Sequence, residues 1–445
     1  MNFSRIALLY AGMAGALIIV GMMQSWNVSL GILNLCLISA IMALGVNIQW
    51  GYAGLFNVGI MGFAALGGLA AVITAQPTVI GAWQAGGVEL GIAFVIATVT
   101  VFAAVLTRRV SNGILRNLAT SLVIITGFFT ARYFFEVATD AIEQFDAART
   151  GYLGGLGLPV LLSWVVGGVF AAGAAWLVGK IALGLRSDYL AIATLGISEI
   201  IIAFLKNEEW LTRGVNNISD IPRPFPAELQ LRDSQWFIEL SNRLGLDSLT
   251  FASIYVKLSY FVSFAIVLFV VMWLSERALN SPWGRMMRAI RDNRHAAEAM
   301  GKDVTSRHLQ VFILGSAVVG IAGAMLVTLD GQFTPGSYIP LRYTFLIWVM
   351  VIVGGSGNNW GAVLGGFLIW FIWVEAEPVG TWIVSLATSG LPEENFVRNR
   401  MMDAAPHMRL ILMGLILLLV LRFRPRGLIP ERGAVGSQNR PKFQN

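Results

Sequence analysis

The feature that most constrains this chain is a succession of apolar runs, most of them about as long as a bilayer core is thick. They fall at 6–23, 30–49, 54–75, 90–106, 118–135, 160–178 and 189–205, then at 254–274, 309–329, 343–353, 361–374 and 410–421. Crossing the hydrocarbon takes about 20 residues of helix, and backbone placed in lipid must satisfy its own hydrogen bonds. The expected fold class is therefore all-α, a polytopic helical membrane protein of about ten spans. Composition agrees, with 56% hydrophobic and 13% charged residues over 445 positions, against about 25% charged in soluble domains. Some runs are too short or too rich in glycine for ordinary spans, so broken or re-entrant helices are expected around Gly51–Gly59 and Gly354–Asn359. The run at 6–23 has the length of a span and no small-x-small cleavage site before Trp26, so it reads as the first span rather than a signal peptide.

Lys and Arg concentrate in alternate connections. One set holds Arg5, Arg108, Arg109, Arg116, Lys180 and Arg186, a dense group from Arg277 to Arg307, and the C-terminal arginines; the other set is sparser and mixed with acids. By the positive-inside rule both termini are expected to be cytoplasmic, and the net charge of +6 reflects loop placement rather than nucleic-acid binding. The resulting plan is a transmembrane domain over 1–430 and a flexible cytoplasmic tail at 431–445. Extracytoplasmic loops are expected at about 136–155, 206–250 and 375–409, and a cytoplasmic segment at 276–308. The prolines of Ile221-Pro222-Arg223-Pro224-Phe225-Pro226 favour an extended stretch in the second loop.

Catalytic and metal chemistry find little support. Only His295, His308 and His407 are available, with no helix-spaced pair for zinc, and Cys36 is the single cysteine. The two Gly-Lys pairs continue into Ile181 and Asp303, so neither is a phosphate-cradling loop. Ion-coupled carriers place several carboxylates or histidines near the midplane. Here Glu199 is the main intramembrane candidate, with Lys257 and Arg132 nearer span ends. Glu199 serves either a transport path or a hydrogen bond to a neighbouring helix.

Two segments carry more information. Asn47, followed by Gly51-Tyr52-Ala53-Gly54-Leu55-Phe56-Asn57-Val58-Gly59, suits a helix break whose exposed backbone meets a cavity; small-residue helix packing is the alternative. Between the runs at 254–274 and 309–329, Ser281 and Pro282 open a helix and Gly301 stops it. Met286, Ile290, Ala297 and Met300 mark an apolar stripe on it. Such a helix docks into a groove of a soluble partner or lies on anionic lipid.

Six segments in order resemble the LivM-type permease subunit of branched-chain amino acid importers of the ABC class. They are Ala43–Asn47 with Gly51–Gly54, Leu185–Gly196, Asn217–Pro224, Ser281–Gly301, Gly354–Gly357 and Arg424–Pro430. The resemblance implies a non-catalytic subunit of the bacterial cytoplasmic membrane. Its expected partners are a second, LivH-like permease, two ATPase subunits that bind ATP and Mg, a periplasmic solute-binding protein and membrane lipids. No cofactor is expected in this chain. The resemblance makes Ser281–Gly301 the ATPase-coupling segment, with Met286, Arg288, Ile290, Arg291, Asp292, Ala297, Met300 and Gly301 as its working residues. The substrate path is expected at Asn47, Tyr52, Asn57, Tyr189, Thr194 and Glu199. The family usually carries glycine where Arg213 stands and often a polar residue where Ile60 stands, so urea, short amides or other small solutes stay open as cargo. An ion-coupled secondary transporter is the alternative of another class.

Overall fold

The structure is a computed structural model that describes residues 3–110, 113–392 and 395–431. Two helices, α1 (Phe3–Met23) and α2 (Trp26–Val46), begin the chain, and α2 passes into a π-helical turn at Asn47–Tyr52. After a non-helical stretch come α3 (Ile60–Ala75), α4 (Ile80–Val110), α5 (Ile114–Gln144), α6 (Val160–Ala182) and α7 (Ser187–Asn207). Three short helices follow, α8 (Glu209–Thr212), α9 (Glu228–Asp233) and α10 (Gln235–Leu244), before the long α11 (Ser248–Asn280). The pair α12 (Pro282–Asp292) and α13 (Arg294–Ala299) then leads into α14 (Val304–Asp330). The chain closes with α15 (Pro340–Gly354), α16 (Asn359–Ala387), α17 (Phe396–Ala404) and α18 (Met408–Phe423). Among the described residues ten helical stretches are long and apolar enough to span a membrane, and α3 and α15 are shorter apolar helices beside them.

Burial sorts the helices into layers. At the centre, α2, α3, α14 and α15 keep little exposed surface, while α6, α7, α11 and α16 pack around them. Close approach there rests on small residues: a Cβ at Gly67 in α3 would collide with the Gly320 carbonyl of α14. The hairpin α4–α5 stands outside this core, its helices packed mainly on each other and tied back through Ala138, Ile142, Leu153 and Trp210.

Polar residues at the helix ends do the expected capping. Ser281 accepts from Gly284 N, Asp247 from Thr250 N, Asp303 from Ser306 N and Asn358 from Trp360 N. Such caps contribute about 1 kcal/mol each. Contacts also fix which helix ends lie together. Arg5 donates to the Leu428 carbonyl at 3.5 Å, and Arg291 of α12 pairs with Glu431, so both described ends of the chain lie at the α12 end of the bundle. At the opposite end Ile218 and Phe333 exchange backbone hydrogen bonds at 3.0 and 2.7 Å, and Gln76 reaches the Ser219 carbonyl at 3.2 Å.

Several expected boundaries shift. The third apolar run is helical only from Ile60, because residues 54–59 form the break. Helix α5 continues to Gln144, which shortens the loop expected from 136. Helix α16 continues to Ala387 with Pro378 inside it, and α17 occupies most of the remainder to Ala404, so 375–409 is largely helix rather than loop. A proline inside a helix costs a backbone bond, but neighbouring helices in a bundle can tolerate the gap. The loop expected at 206–250 carries α8, α9 and α10. The segment after Ser281 is two helices rather than one: Asn293 adopts extended backbone and its side chain caps α13 through Ala296 N at 3.0 Å, a local bond that competes with continuing the helix. Of the tail at 431–445, all but Glu431 lies outside the described residues.

Candidate functional site

The break between α2 and α3 is largely buried, and its polar side chains are hydrogen-bonded. Asn47 Nδ2 donates to Asn359 Oδ1 at 3.0 Å, and Asn47 Oδ1 accepts from Gly357 N at 2.8 Å. Tyr52 donates to the same Asn359 Oδ1, and Asn359 Nδ2 donates to Glu276 at 3.1 Å. Asn57 Nδ2 donates to Gln49 Oε1 at 2.9 Å while its own oxygen accepts from Gly59 N at 2.9 Å. Gln49 in turn donates to the Phe312 carbonyl and Ser316 Oγ, both at 3.0 Å. A buried amide left unpaired is costly, and these pairings bind the break to α11, α14 and α16. Trp50, Phe56 and Trp348 close together beneath it, with ring centroids 4.7–5.8 Å apart, and Trp348 Nε1 donates to the Asn57 carbonyl at 3.0 Å.

Of the six residues expected on the path, four gather here. Thr194 joins Asn47, Tyr52 and Asn57 by accepting from Val58 N at 3.0 Å. Tyr189 is 61% exposed and Glu199 is exposed, both on the outward face of α7, away from the break. Thr194 takes the inward face with Leu190 and Ser198, positions four apart that share a side, whereas Tyr189 and Glu199 each stand five residues from Thr194, about 140° round the helix. Lys257 donates to the Asn27 carbonyl at 3.0 Å, and Arg132 pairs with Glu136 on the outside of α5. Gln49, Glu276 and Asn359 are network members that the sequence reading passed over. The available signal was their position, each a polar residue at the end of an apolar run.

Helix α12 lies directly against this break, with α13 packed on α12 and α14. Arg291 donates to the Gly51 carbonyl and, at 3.0 Å, to the Glu431 carboxylate; its Nε lies 3.2 Å from Asp292. The segment Leu428–Pro430 is itself stitched to the α15–α16 junction, Leu428 N to Val353 O and Ile429 N to Gly354 O at 2.9 Å each, with Asn358 Nδ2 on the Pro430 carbonyl. One guanidinium thus joins the helix pair, the α2–α3 break and the C-terminal segment.

The apolar stripe on this pair differs from the expected one. Met287, Ile290 and Ala297 are buried within the chain and Met286 is half-buried, whereas Met300 is 78% exposed. Arg288 folds back to the Leu279 carbonyl at 3.4 Å, and Gly301 takes the left-handed conformation that stops α13. Ala297 therefore packs inward and is not offered to a partner. The surface that remains open includes Arg285, Ala289, Asp292, Arg294, His295, Glu298 and Met300. Within it the hydrogen bond from Arg294 holds the Glu298 carboxyl below its ordinary range.

Arg213 occupies left-handed backbone (φ 53°), which suits the glycine expected there. Its guanidinium compensates by bonding the Ala148 carbonyl at 3.0 Å and the Ala147 and Asn217 carbonyls at 3.4 Å. Ile60 is fully buried at the start of α3.

Fold and site together define a polytopic α-helical membrane protein whose core is organised around a hydrogen-bonded helix break gripped by an amphipathic helix pair. The family described as branched-chain amino acid transport system / permease component matches residues 115–421, and the chain belongs to it. It is 29% identical over 299 residues to the high-affinity branched-chain amino acid transport system permease protein LivM of Escherichia coli K12, and 30% identical over the same length to LivM of Salmonella typhimurium. Each alignment covers 65% of this chain and spans 61% of the relative's length. The probable LivM of Methanocaldococcus jannaschii is 28% identical over 304 residues, 66% of this chain and 74% of that protein. No solved structure matches the chain.

Proposed function

We propose that this chain forms half of the translocation path of an ATP-driven importer for branched-chain or related amino acids. The observation that carries the reading is Arg291: a side chain on an outward-facing helix pair holds the buried helix break and the C-terminal segment at once. A push on α12–α13 would reach the break through that contact, which is what a subunit without a nucleotide site needs in order to be driven. The proposed partners are two ATPase subunits that carry ATP and Mg, a second LivH-like permease, and a periplasmic solute-binding protein that supplies most of the selectivity. In this arrangement the α12 end faces the cytoplasm of a bacterial inner membrane, consistent with its excess of arginine.

Proteoliposomes provide the test. Leucine uptake is expected only when the second permease, the ATPases, the binding protein and ATP are all supplied. ATP-independent uptake by the isolated chain would replace this reading with an ion-coupled carrier. Uptake of urea or acetamide, but not leucine, by the full assembly would change the cargo and leave the mechanism.

A further inference from the structure

At the end opposite α12, two spaces meet at one carboxylate. An outer cleft of about 630 Å3 is walled by Asp220, Arg223, Glu228 and Asp330, so it presents both signs of charge. A narrower cavity of about 280 Å3 runs inward from Asp330 between α2, α3, α14, α15 and α16, and its wall is mainly apolar, with Ile38, Met42, Met61, Leu346, Ile347 and Met350 beside the polar groups of Ser39, Ser337, Tyr338 and Tyr343. Its size is just below the ~300–1,000 Å3 typical of small-molecule sites, room for one small solute. Met42, Met61 and Met350 lie near the α12 ends of their helices, so the cavity reaches deep into the bundle.

Asp330 is the only charged residue lining both spaces. It stands at the C-terminus of α14, where the helix dipole disfavours an anion, and among the described residues no hydrogen bond or ion pair reaches its carboxylate. Trp370 also lines the cavity, and its indole N–H is buried without a partner. Arg223, on the cleft side, is held by Glu228 through one nitrogen at 3.1 Å. A cationic hydrogen-bond donor therefore suits the mouth and an apolar group fits within, while Arg223 is the one cation of the outer cleft, among three carboxylates. Methionine thioethers at the floor suit side chains of varied branching.

We propose that this cavity is a binding pocket for a single aliphatic amino acid, with the ligand's ammonium at Asp330, its side chain against the apolar wall at Leu326, Leu346 and Ile347, and its carboxylate left toward Arg223. The substrate class rests on the importer reading above; the pocket itself rests on the geometry.

The test uses the full chain in lipid nanodiscs with L-leucine as probe, its methyl groups followed by saturation-transfer NMR. Transfer is expected, and valine and isoleucine should compete it away. 4-Methylpentanoate, which lacks the ammonium, should compete at least tenfold less well. Asp330→Asn should weaken binding about tenfold, Asp330→Glu should largely preserve it, and Ile347→Trp should abolish it by filling the cavity. Monodisperse elution and an unchanged helical circular dichroism spectrum would establish that each variant is folded. Absence of transfer in the unaltered chain, or transfer indifferent to both Asp330→Asn and Ile347→Trp, overturns the pocket. Leucine uptake by the reconstituted assembly distinguishes the two failures: if uptake persists while binding ignores these variants, the pocket alone falls. If the assembly carries only urea or amides, the importer's cargo falls, and the aliphatic ligand with it.

Discussion

A buried amide side chain such as Asn57 is worth keeping only when its donors and acceptor are all met. Asn57→Leu would strand Gln49 Oε1 and Gly59 N, whose bonds are 2.9 Å each. At about 1–3 kcal/mol per buried unsatisfied group, the variant is expected to lose stability on the order of 2–4 kcal/mol, read as a lower unfolding temperature in detergent. Glu199→Gln changes an exposed side chain and should stay within about 0.5 kcal/mol. If Asn57→Leu unfolds at the same temperature as the parent while transport falls, the amide acts on the path rather than in the packing. Arg291 makes a prediction of its own. Arg291→Ala removes the ties to Gly51 and Glu431, so hydrogen exchange should quicken at residues 47–58 and at 424–431 together. Quickening in only one of the two would show that the guanidinium does not link them.

At the scale of elements, the α12–α13 pair has an inner and an outer face that a helical wheel of the sequence does not separate. Ala297→Asp places a charge against the chain's own core, where an unpaired carboxylate costs several kcal/mol; loss of folded protein on size-exclusion chromatography is the expected result. Met300→Asp alters an outward residue, so the permease should stay folded while ATP-driven transport in proteoliposomes drops by tenfold or more. Full transport by Met300→Asp would favour the alternative in which the pair lies on the lipid surface. The kink at Asn293 gives the two helices separate directions, and its Asx cap is the physical cause.

For the whole molecule, the joined ends set a topology that can be checked in cells. Cys36 is fully buried, so single cysteines can be added without a competing thiol. A cysteine at Arg294 should be shielded from an extracytoplasmic maleimide and one at Pro224 should react. A cysteine at Glu394, in the second stretch expected to face outward, falls at a position outside the described residues. Labelling at Arg294 from outside would invert the bundle and move the proposed pocket to the cytoplasmic face.

Apolar run lengths alone determined that the chain is a many-span helical membrane protein, because lipid leaves the backbone few other choices. The alternation of arginine-rich connections and the glycine-rich interruption after Asn47 were equally local, and both were legible. Facing was decided elsewhere. Met287 turns inward and Met300 outward, Thr194 reaches Val58 while Glu199 points away, and Asp330 closes the mouth of a cavity built from five helices. Sequence periodicity marks an apolar stripe, but in a bilayer lipid and protein are both apolar, so hydrophobicity cannot say which side is covered by a neighbour. That choice rests on close packing of small residues and on hydrogen bonds between segments far apart in the chain, such as Asn47 with Asn359 and Arg291 with Glu431, and only the tertiary structure brings those partners together.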